Sequence, residues 1–302
     1  MTELIESLLR GEKRACARLI TMVENETPGY EQALKSVYGK GGAYVIGVTG
    51  PPGAGKSTLT DKLAKPLIDA GESVGIIAVD PTSPFSKGAI LGDRIRMGGA
   101  GDDGAFIRSM GTRGHLGGLS KATANALVIL SAYGCGYIFV ETVGVGQSEI
   151  DIAGAADTTL MVLAPGLGDD IQAIKAGVME IGDVFAINKA DREGAGKTYR
   201  ETLASLDFKT DWAFKPPVCQ TVAETGEGVD ALLGHIMSHK SFLTESGEFA
   251  ERRRRNRAAH VREIVRDRLN RRIEAALAGA DINGSAPDPY TFAESVLQTF
   301  KE

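Results

Sequence analysis

Short runs of apolar residues alternate, in the central part of the chain, with longer segments in which apolar residues recur at helical spacing. The apolar runs cover residues 44–48, 74–79, 106–107, 137–140, 158–163, 184–187 and 218–222. Several are apolar throughout rather than alternating, which is typical of strands buried on both faces of a parallel sheet. Residues 57–70, 119–132 and 171–180 have helical character, and each of these segments stops at or near a glycine. The pattern predicts an α/β fold with a mostly parallel sheet flanked by helices.

The two ends of the chain have a different pattern. Residues 1–38 are predicted to be helical, and residues 248–277 carry an apolar stripe at roughly helical spacing, which predicts one long amphipathic helix. A polar linker and a last short helix, which begins at Asp288 and Pro289, follow. We therefore predict an N-terminal helical extension (residues 1–41), an α/β domain (residues 42–245) and a C-terminal helical arm (residues 246–302). Because an apolar stripe outside a compact domain needs a partner to cover it, we expect the arm to form a homodimer.

A run of four arginines, residues 252–255, lies near the start of the C-terminal arm. Such a run could bind RNA or phospholipid, or it could form a solvated helix face. Successive residues point about 100° apart on a helix, so the four side chains fan around it, and acidic neighbours such as Glu251 and Glu263 dilute their charge. We favour the solvated face.

Length and charge restrict the class of protein. The chain has 302 residues and a formal net charge of -5, which gives no global attraction to nucleic acid or to an anionic membrane, so neither is an expected partner. Without a long apolar segment or a signal-peptide pattern, the protein is predicted to be soluble and cytoplasmic. The scattered cysteines Cys16, Cys135 and Cys219 predict buried apolar side chains rather than disulfides or a zinc site.

A phosphate-binding loop follows the first apolar run. Its sequence is Gly50-Pro51-Pro52-Gly53-Ala54-Gly55-Lys56-Ser57. The glycines let successive N–H groups converge on an anion, Lys56 adds a point charge near the β- and γ-phosphates, and the Ser57 hydroxyl can ligate Mg²⁺. With a strand before it and a helix after it, the loop predicts a P-loop NTPase that binds a nucleoside triphosphate. The predicted phosphate-binding residues are Gly53, Ala54, Gly55, Lys56, Ser57 and Thr58.

The choice of base is predicted by Asn188-Lys189-Ala190-Asp191, directly after a strand-like run. A carboxylate at Asp191 can accept hydrogen bonds from both N1–H and the exocyclic amine of guanine, a pattern that adenine cannot satisfy. A backbone N–H within Thr221-Val222-Ala223 could reach the guanine oxygen. We therefore expect GTP rather than ATP, with Asn188, Lys189, Asp191, Val222 and Ala223 in the base-binding site.

Carboxylates near the phosphate site predict a metal ion. Asp80 closes the second strand, Asp93 follows in a glycine-bearing loop, and Glu141 closes the run at residues 137–140. Mg²⁺ prefers hard oxygen ligands and keeps several waters. Ser57, Asp80, Asp93 and Glu141 are therefore the candidate metal residues, with Asp80 and Glu141 the strongest carboxylates.

The segment Glu141-Thr142-Val143-Gly144 has the form of a γ-phosphate sensor, because the Gly144 N–H can bond to that phosphate and release it after hydrolysis. Val145 stands where Ras-like GTPases carry the glutamine that orients water, and a valine cannot do so. We expect slow intrinsic hydrolysis, completed by another residue or by a partner. Gln147 is a candidate, with a role on a helix face as an equal alternative. Lys56, Glu141 and Gln147 are the predicted catalytic residues.

A second glycine-rich, charged stretch, residues 164–175, follows another strand-like run. Its glycines permit movement and its charges permit alternative pairings. Asp169, Asp170, Gln172 and Lys175 are the predicted switch residues.

Together these segments closely resemble the MeaB/ArgK/MMAA family, and the resemblance covers essentially the whole chain. It rests on residues 50–57, 79–83, 141–149, 165–170 and 188–191. It implies a homodimeric P-loop GTPase that uses GTP and Mg²⁺. It further implies a chaperone of adenosylcobalamin-dependent methylmalonyl-CoA mutase, or of a related acyl-CoA mutase, that gates cofactor loading and protects the mutase from inactivation. By resemblance, Asp80, Asp93 and Glu141 belong to the metal network, residues 169–175 report to the mutase, and the mutase accelerates hydrolysis.

Three other functions compete with this one. A nickel-insertion metallochaperone of related fold would need a His- or Cys-rich metal site, and the chain has only His115, His235, His239 and His260, without paired cysteines. A kinase of a transport protein would transfer phosphate from GTP or ATP to an acceptor. A binding module would hold the nucleotide for a structural purpose only.

Overall fold

The computed structural model describes residues 1–80, 104–111, 121–142, 148–166, 180–278 and 288–298. The chain divides into two compact units, residues 1–256 and residues 257–302. Several predictions concern residues outside the described ranges: the metal residue Asp93, the sensor and catalytic residues Gly144 and Gln147, the switch residues Asp169, Asp170, Gln172 and Lys175, and most of the helix predicted over residues 171–180.

The first unit is built on a seven-stranded sheet in the order β3-β2-β4-β1-β5-β6-β7. The strands are β1 (Tyr44–Thr49), β2 (Val74–Asp80), β3 (Phe106–Gly111), β4 (Tyr137–Glu141), β5 (Thr158–Leu163), β6 (Val184–Ile187) and β7 (Val218–Gln220). Every neighbouring pair is parallel. All residues of β4, β5 and β6 are buried, as expected for strands covered on both faces. The prediction of a parallel P-loop sheet is confirmed.

Helices cover both faces of this sheet. The helices of the first unit are α1 (Thr2–Leu9), α2 (Lys13–Glu24), α3 (Tyr30–Val37), α4 (Lys56–Asp69), α5 (Lys121–Tyr133), α6 (Ser148–Ala153), α7 (Ala195–Asp207) and α8 (Val229–Glu245). The next helix, α9 (Glu248–Ala278), begins in the first unit and continues into the second, which also contains α10 (Pro289–Gln298). One core cluster joins α4 and α8 to the sheet, with Leu59 and Leu232 packed among strand residues. A second cluster joins α1, α2, α3 and α5 to the other face, with Leu8 and Leu19 fully buried. The N-terminal helices therefore share a core with the sheet.

Two aspartates order the amino ends of the central strands. Asp157 precedes β5 and accepts the Val45 N–H at 2.9 Å, while Asp183 precedes β6 and accepts the Thr159 N–H at 2.7 Å. Both carboxylates thus accept backbone N–H groups at the amino ends of the strands, the end of the sheet opposite to the phosphate-binding loop. They also form a negatively charged platform for the start of α9.

Two of the four consecutive arginines bind this platform. Arg252 donates to both oxygens of Asp183, and Arg253 donates to both oxygens of Asp157 and to the Ala43 carbonyl. The prediction of a solvated face is wrong for these two residues, because their guanidinium groups pair with carboxylates that are only 18% and 3% exposed. The prediction agrees with the position of Arg254, which is exposed and donates to the exposed Glu251 on its own helix.

A buried polar chain runs beneath the same platform. The Tyr44 hydroxyl lies 2.5 Å from the Thr158 hydroxyl, which lies 2.8 Å from His239 Nδ1. His239 Nε2 is 3.5 Å from Asp183. Burial lowers the pKa of His239, although the nearby Asp183 carboxylate opposes this effect.

In the second unit, the part of α9 beyond residue 256 exposes a stripe of large apolar side chains. Val261, Val265, Leu269 and Ile273 are 39–52% exposed. Their four-residue spacing places them on one side of the helix.

The predicted start of α10 is confirmed, because the Asp288 carboxylate accepts the N–H groups of Tyr290 and Thr291 at 2.9 and 3.0 Å.

Among the described residues, no helix is both long and apolar enough to cross a membrane.

Candidate nucleotide-binding site

The phosphate-binding loop connects the end of β1 to the start of α4, and its tight course depends on glycine. At Gly50 the φ angle is 136°, and a β-carbon there would lie 2.0 Å from the Val162 carbonyl oxygen. At Gly55 the φ angle is 90°, and a β-carbon would lie 2.3 Å from Asn188 Nδ2. Side chains cannot be accommodated at either position. The loop therefore brings its backbone against β5 and against the segment after β6.

The Lys56 side chain is held close to this loop. It is only 7% exposed, and its ammonium donates to the carbonyls of Gly50 and Pro51 at 2.9 and 3.2 Å. Lys56 is also the first residue of α4, where the free N–H groups of a helix N-terminus favour an anion. Positive charge and backbone donors thus meet at one point, as phosphate binding requires.

Ser57 and Glu141 are brought together although 84 residues separate them. The Ser57 hydroxyl donates to Glu141 Oε1 at 2.6 Å, and Glu141 is 8% exposed at the end of β4. In the sheet register Glu141 lies beside Ala78, and Asp80 comes two residues later on the same strand, β2. A hydroxyl and a carboxylate in contact, with a second carboxylate residue at the same sheet edge, are hard oxygen donors of the kind that Mg²⁺ prefers. The residues present therefore fit a magnesium ion.

Asn188 connects three separate segments of the site. Its Oδ1 accepts the Ala223 N–H at 3.0 Å and the Thr221 hydroxyl at 3.3 Å, while its Nδ2 donates to the Ala54 carbonyl at 2.8 Å. The side chain is almost fully buried. Asn188 thus fixes the phosphate-binding loop against the residues that follow β6 and β7.

Lys189 strengthens the same connection and Asp191 faces the open space beside it. Lys189 adopts a left-handed φ of 57° and donates from Nζ to the Gly53 carbonyl at 2.6 Å. Asp191 is exposed at a cleft of about 340 Å³, a volume that includes space open to solvent. The cleft is lined by Gly55, Thr58, Asn188, Lys189, Asp191, Arg192, Val222, Ala223 and Glu224. The sequence-predicted base residues therefore meet in one cleft, next to the phosphate-binding loop.

Arg192 and Glu224 are site residues that the motifs alone do not single out. Each is the immediate neighbour of a predicted residue, Asp191 or Ala223, and both line the cleft. Their position next to the two predicted segments was the available signal.

Thr142, which directly follows Glu141, is also part of the site frame. It is buried, its N–H donates to the Val48 carbonyl at 3.1 Å, and its hydroxyl donates to the Thr49 hydroxyl at 3.0 Å. Residues 143–147, which follow it, lie outside the described ranges. The start of the predicted γ-phosphate sensor is therefore attached to the strand that leads into the phosphate-binding loop.

A parallel sheet of this order, with the phosphate-binding loop after β1 and Asn-Lys-Ala-Asp after β6, defines a P-loop GTPase. Residues 16–278 match the family described as "Methylmalonyl Co-A mutase-associated GTPase MeaB". The chain belongs to this family, so it is a GTPase that binds guanine nucleotides.

Relatives with known names agree with this assignment. A Pyrococcus horikoshii protein, provisionally named a GTPase, is 53% identical to this chain. The match covers 98% of this chain and 97% of that protein. The GTPase ArgK of Escherichia coli is 37% identical, over 89% of this chain and 85% of its own. The mouse protein named methylmalonic aciduria type A homolog, mitochondrial, is 30% identical, over 99% of this chain and 79% of its own.

Solved structures show the same fold. A crystal structure described as a LAO/AO transport system kinase matches with a TM-score of 0.73 and 26% identity, covering 100% of this chain and 97% of the other. The hydrogenase maturation factor HypB of Archaeoglobus fulgidus matches with a TM-score of 0.51 and 16% identity, covering 74% of this chain and 98% of the other. At that identity the second match concerns the fold alone.

Proposed function

We propose that this GTPase is a chaperone of an adenosylcobalamin-dependent acyl-CoA mutase, with methylmalonyl-CoA mutase as its client, and that it gates cofactor loading and protects the mutase from inactivation. The observation that carries the proposal is the family match over residues 16–278, because the family is described by its association with that mutase. The name of the mouse relative, which refers to methylmalonic aciduria, points to the same metabolic step.

In this proposal the nucleotide lies along the carboxyl edge of the sheet. Lys56 and the loop N–H groups bind the β- and γ-phosphates, and Asp191 accepts hydrogen bonds from guanine. Their placement supports these roles, since Lys56 lies against the phosphate-binding loop and Asp191 lines the adjoining cleft. Arg192 and Glu224 border the same cleft and are candidates for contacts with the base or the ribose.

The proposed magnesium site consists of Ser57, Asp80, Asp93 and Glu141. The 2.6 Å hydrogen bond between Ser57 and Glu141 supports it, because two of the four predicted ligands are already in contact. When bound, Mg²⁺ would neutralise charge that develops on the β- and γ-phosphates. Glu141 would in addition hold the Ser57 hydroxyl in place at the start of α4.

The proposed switch comprises Gly144 and residues 169–175. Gly144 would bond to the γ-phosphate through its N–H, and Asp169, Asp170, Gln172 and Lys175 would report the nucleotide state to the mutase. Val145 cannot orient a water molecule, so the client would supply or arrange what is missing, with Gln147 as the candidate within this chain. A slow intrinsic rate that the partner raises is the expected behaviour.

The proposal includes a homodimer formed through the C-terminal arm. Val261, Val265, Leu269 and Ile273 give α9 an apolar stripe of the kind that a second helix covers. Changing Val265 and Leu269 to aspartate should convert a dimer into a monomer in sedimentation experiments. A wild-type protein that sediments as a monomer would contradict this part.

The mutase proposal is tested by measuring GTP turnover with and without purified methylmalonyl-CoA mutase. We expect the mutase to accelerate phosphate release, and we expect the two proteins to co-purify in the presence of a non-hydrolysable GTP analogue. Absence of both effects would defeat the mutase proposal while leaving the GTPase assignment intact.

Phosphate transfer to a protein is the second candidate, because the related crystal structure is described as a transport system kinase. Incubation with GTP labelled at the γ-phosphate distinguishes the two, because a kinase leaves the label on an acceptor protein and a GTPase releases it.

Metal insertion is less supported, since no cluster of three metal-binding side chains occurs within the described ranges. A module that holds the nucleotide only for structural purposes would show neither release nor transfer of the label.

A further inference from the structure

Two buried threonine hydroxyls join the strand before the phosphate-binding loop to the strand that carries Glu141. Thr49 is the last residue of β1 and is 0% exposed, and Thr142 directly follows β4 and is 1% exposed. The Thr142 hydroxyl donates to the Thr49 hydroxyl at 3.0 Å. The contact therefore lies between the residue before Gly50 and the residue after Glu141.

The backbone alone would hold Thr142 less firmly than this. The Thr142 N–H donates to the Val48 carbonyl at 3.1 Å and so extends the parallel ladder one residue beyond β4. One ladder bond at the end of a strand still permits rotation of the next peptide units. The hydroxyl bond adds a second attachment point, on the side chain, and so holds Thr142 and the adjoining Glu141 more firmly against β1.

The buried position does not by itself require hydroxyl groups. Valine has nearly the same shape as threonine, and two apolar groups of that shape in place of a buried hydrogen-bonded pair can be close to neutral for stability. Losing one partner only is unfavourable, because the remaining hydroxyl is then buried without it. A role in positioning the neighbouring site explains why a polar pair is placed here.

We infer that Thr142 is a positioning residue for GTP hydrolysis, and that it acts through its hydrogen bond to Thr49. The bond keeps the Glu141 carboxylate against Ser57, whose hydroxyl oxygen lies 2.6 Å from Glu141 Oε1, and holds the end of β4 beside the strand that leads into the phosphate-binding loop. The inference rests on the proposed role of Glu141 in binding Mg²⁺. GDP binding without Mg²⁺ should not depend on this contact, because neither the metal site nor the γ-phosphate takes part in it.

Four variants of the full-length protein test the inference: Thr142→Val, Thr142→Ser, Thr49→Val and the double variant that carries both valines. We expect Thr142→Val to lower kcat about 10-fold or more, since small displacements of reacting groups can cost up to about 100-fold. It should also raise the Mg²⁺ concentration needed for half-maximal turnover and leave the GDP affinity measured without Mg²⁺ unchanged. Thr142→Ser keeps the hydroxyl and should retain most of the activity.

The double variant separates positioning from stability. It should recover thermal stability relative to the single valine variants, because no hydroxyl is left without its partner. Its kcat should stay low, since the link between the two strands is still missing. Recovery of kcat together with stability would show that the pair is merely structural and would overturn the inference, as would wild-type kcat in Thr142→Val.

The variant Glu141→Gln tests the proposed metal site by itself, so that a failure of that proposal can be told apart from a failure of the inference about Thr142. An unchanged Mg²⁺ requirement in Glu141→Gln would contradict the role of Glu141 in metal binding. The kcat of the threonine variants, compared with their stability, would still decide whether the Thr49–Thr142 hydrogen bond contributes to hydrolysis.

Discussion

Arg252 donates two hydrogen bonds to the carboxylate of Asp183, one to each oxygen, at 3.1 and 2.7 Å. Asp183 also accepts the Thr159 N–H, so one carboxylate joins the first turns of α9 to the amino ends of β5 and β6. Both side chains are largely shielded from water, with 16% and 18% exposure. An ion pair that is shielded in this way contributes more to stability than a pair on an open surface.

The variant Arg252→Ala should therefore lower the free energy of unfolding by about 2 kcal/mol, because hydrogen bonds to charged groups contribute about 1.5–3 kcal/mol. Arg254→Ala is a matched control on the same helix, since the Arg254–Glu251 pair is exposed by 76% and 49%. Its loss should be clearly smaller than that of Arg252→Ala, because an ion pair exposed to solvent contributes little to stability. Urea denaturation measures both variants, and equal losses would contradict the anchoring role of Arg252.

His239 should make stability depend on pH. Burial lowers its pKa below the ordinary value of 6.5, so the folded protein keeps the ring neutral where the unfolded chain already binds a proton. The free energy of unfolding should thus fall as pH drops below about 6.5, by at most about 1.4 kcal/mol per pH unit for one proton.

The measurement is the difference between wild type and His239→Gln from pH 7.5 to pH 5. Above the unfolded-state pKa the difference should be constant, and below it wild type should lose stability faster than the variant. Parallel curves across the whole range would show that His239 titrates alike in both states.

Asn188→Ala should weaken the nucleotide site before any nucleotide is bound. The change removes the acceptor of the Ala223 N–H and the donor to the Ala54 carbonyl, both of which belong to buried residues. We expect a loss of about 2 kcal/mol in unfolding free energy, and weaker GDP binding, because buried groups left without partners cost about 1–3 kcal/mol each. Lys189→Ala removes a more exposed contact and should cost less stability, as calorimetry of both variants can show.

Asp191→Asn should change the choice of base without changing stability. An amide can still accept from N1–H, but its NH₂ group faces the exocyclic amine of guanine, whereas xanthine offers a carbonyl there. GDP affinity should fall about 100-fold, since contacts to a charged acceptor are lost, and affinity for xanthosine diphosphate should rise. Competition binding measures both affinities, and an unaltered GDP affinity would remove Asp191 from the base-binding site.

Two central strands could be predicted to the residue. The predicted bounds of β5 and β6 agree with the structure, because an aspartate precedes each run and a residue that interrupts it follows, Pro165 two positions after β5 and Asn188 directly after β6. The run at residues 106–107 is too short for β3, which continues to Gly111. Arg108 interrupts the apolar pattern there, and its charge is neutralised by Glu24 of α2, a contact that no local pattern reveals.

The candidate site shows the same division. Glycine spacing and strand ends were enough to place Lys56, Ser57, Glu141 and Asn188 near one another, because parallel strands end at a common edge. The Thr49–Thr142 contact could not be predicted, and neither could the ion pairs that Arg252 and Arg253 form with Asp183 and Asp157. Each depends on the order of strands in the sheet, which brings together residues that are remote in the sequence.

The strand β6 has only four residues, and it separates Asp183 at one end from Asn188 at the other. Five steps of about 3.3 Å place the two Cα atoms roughly 17 Å apart. A deletion of one residue in this strand would therefore displace both the predicted base-binding residues after β6 and the carboxylate that holds the start of α9. The length of β6 thus couples the position of the predicted base-binding residues to the attachment of the start of α9, so that neither can change through this strand without the other.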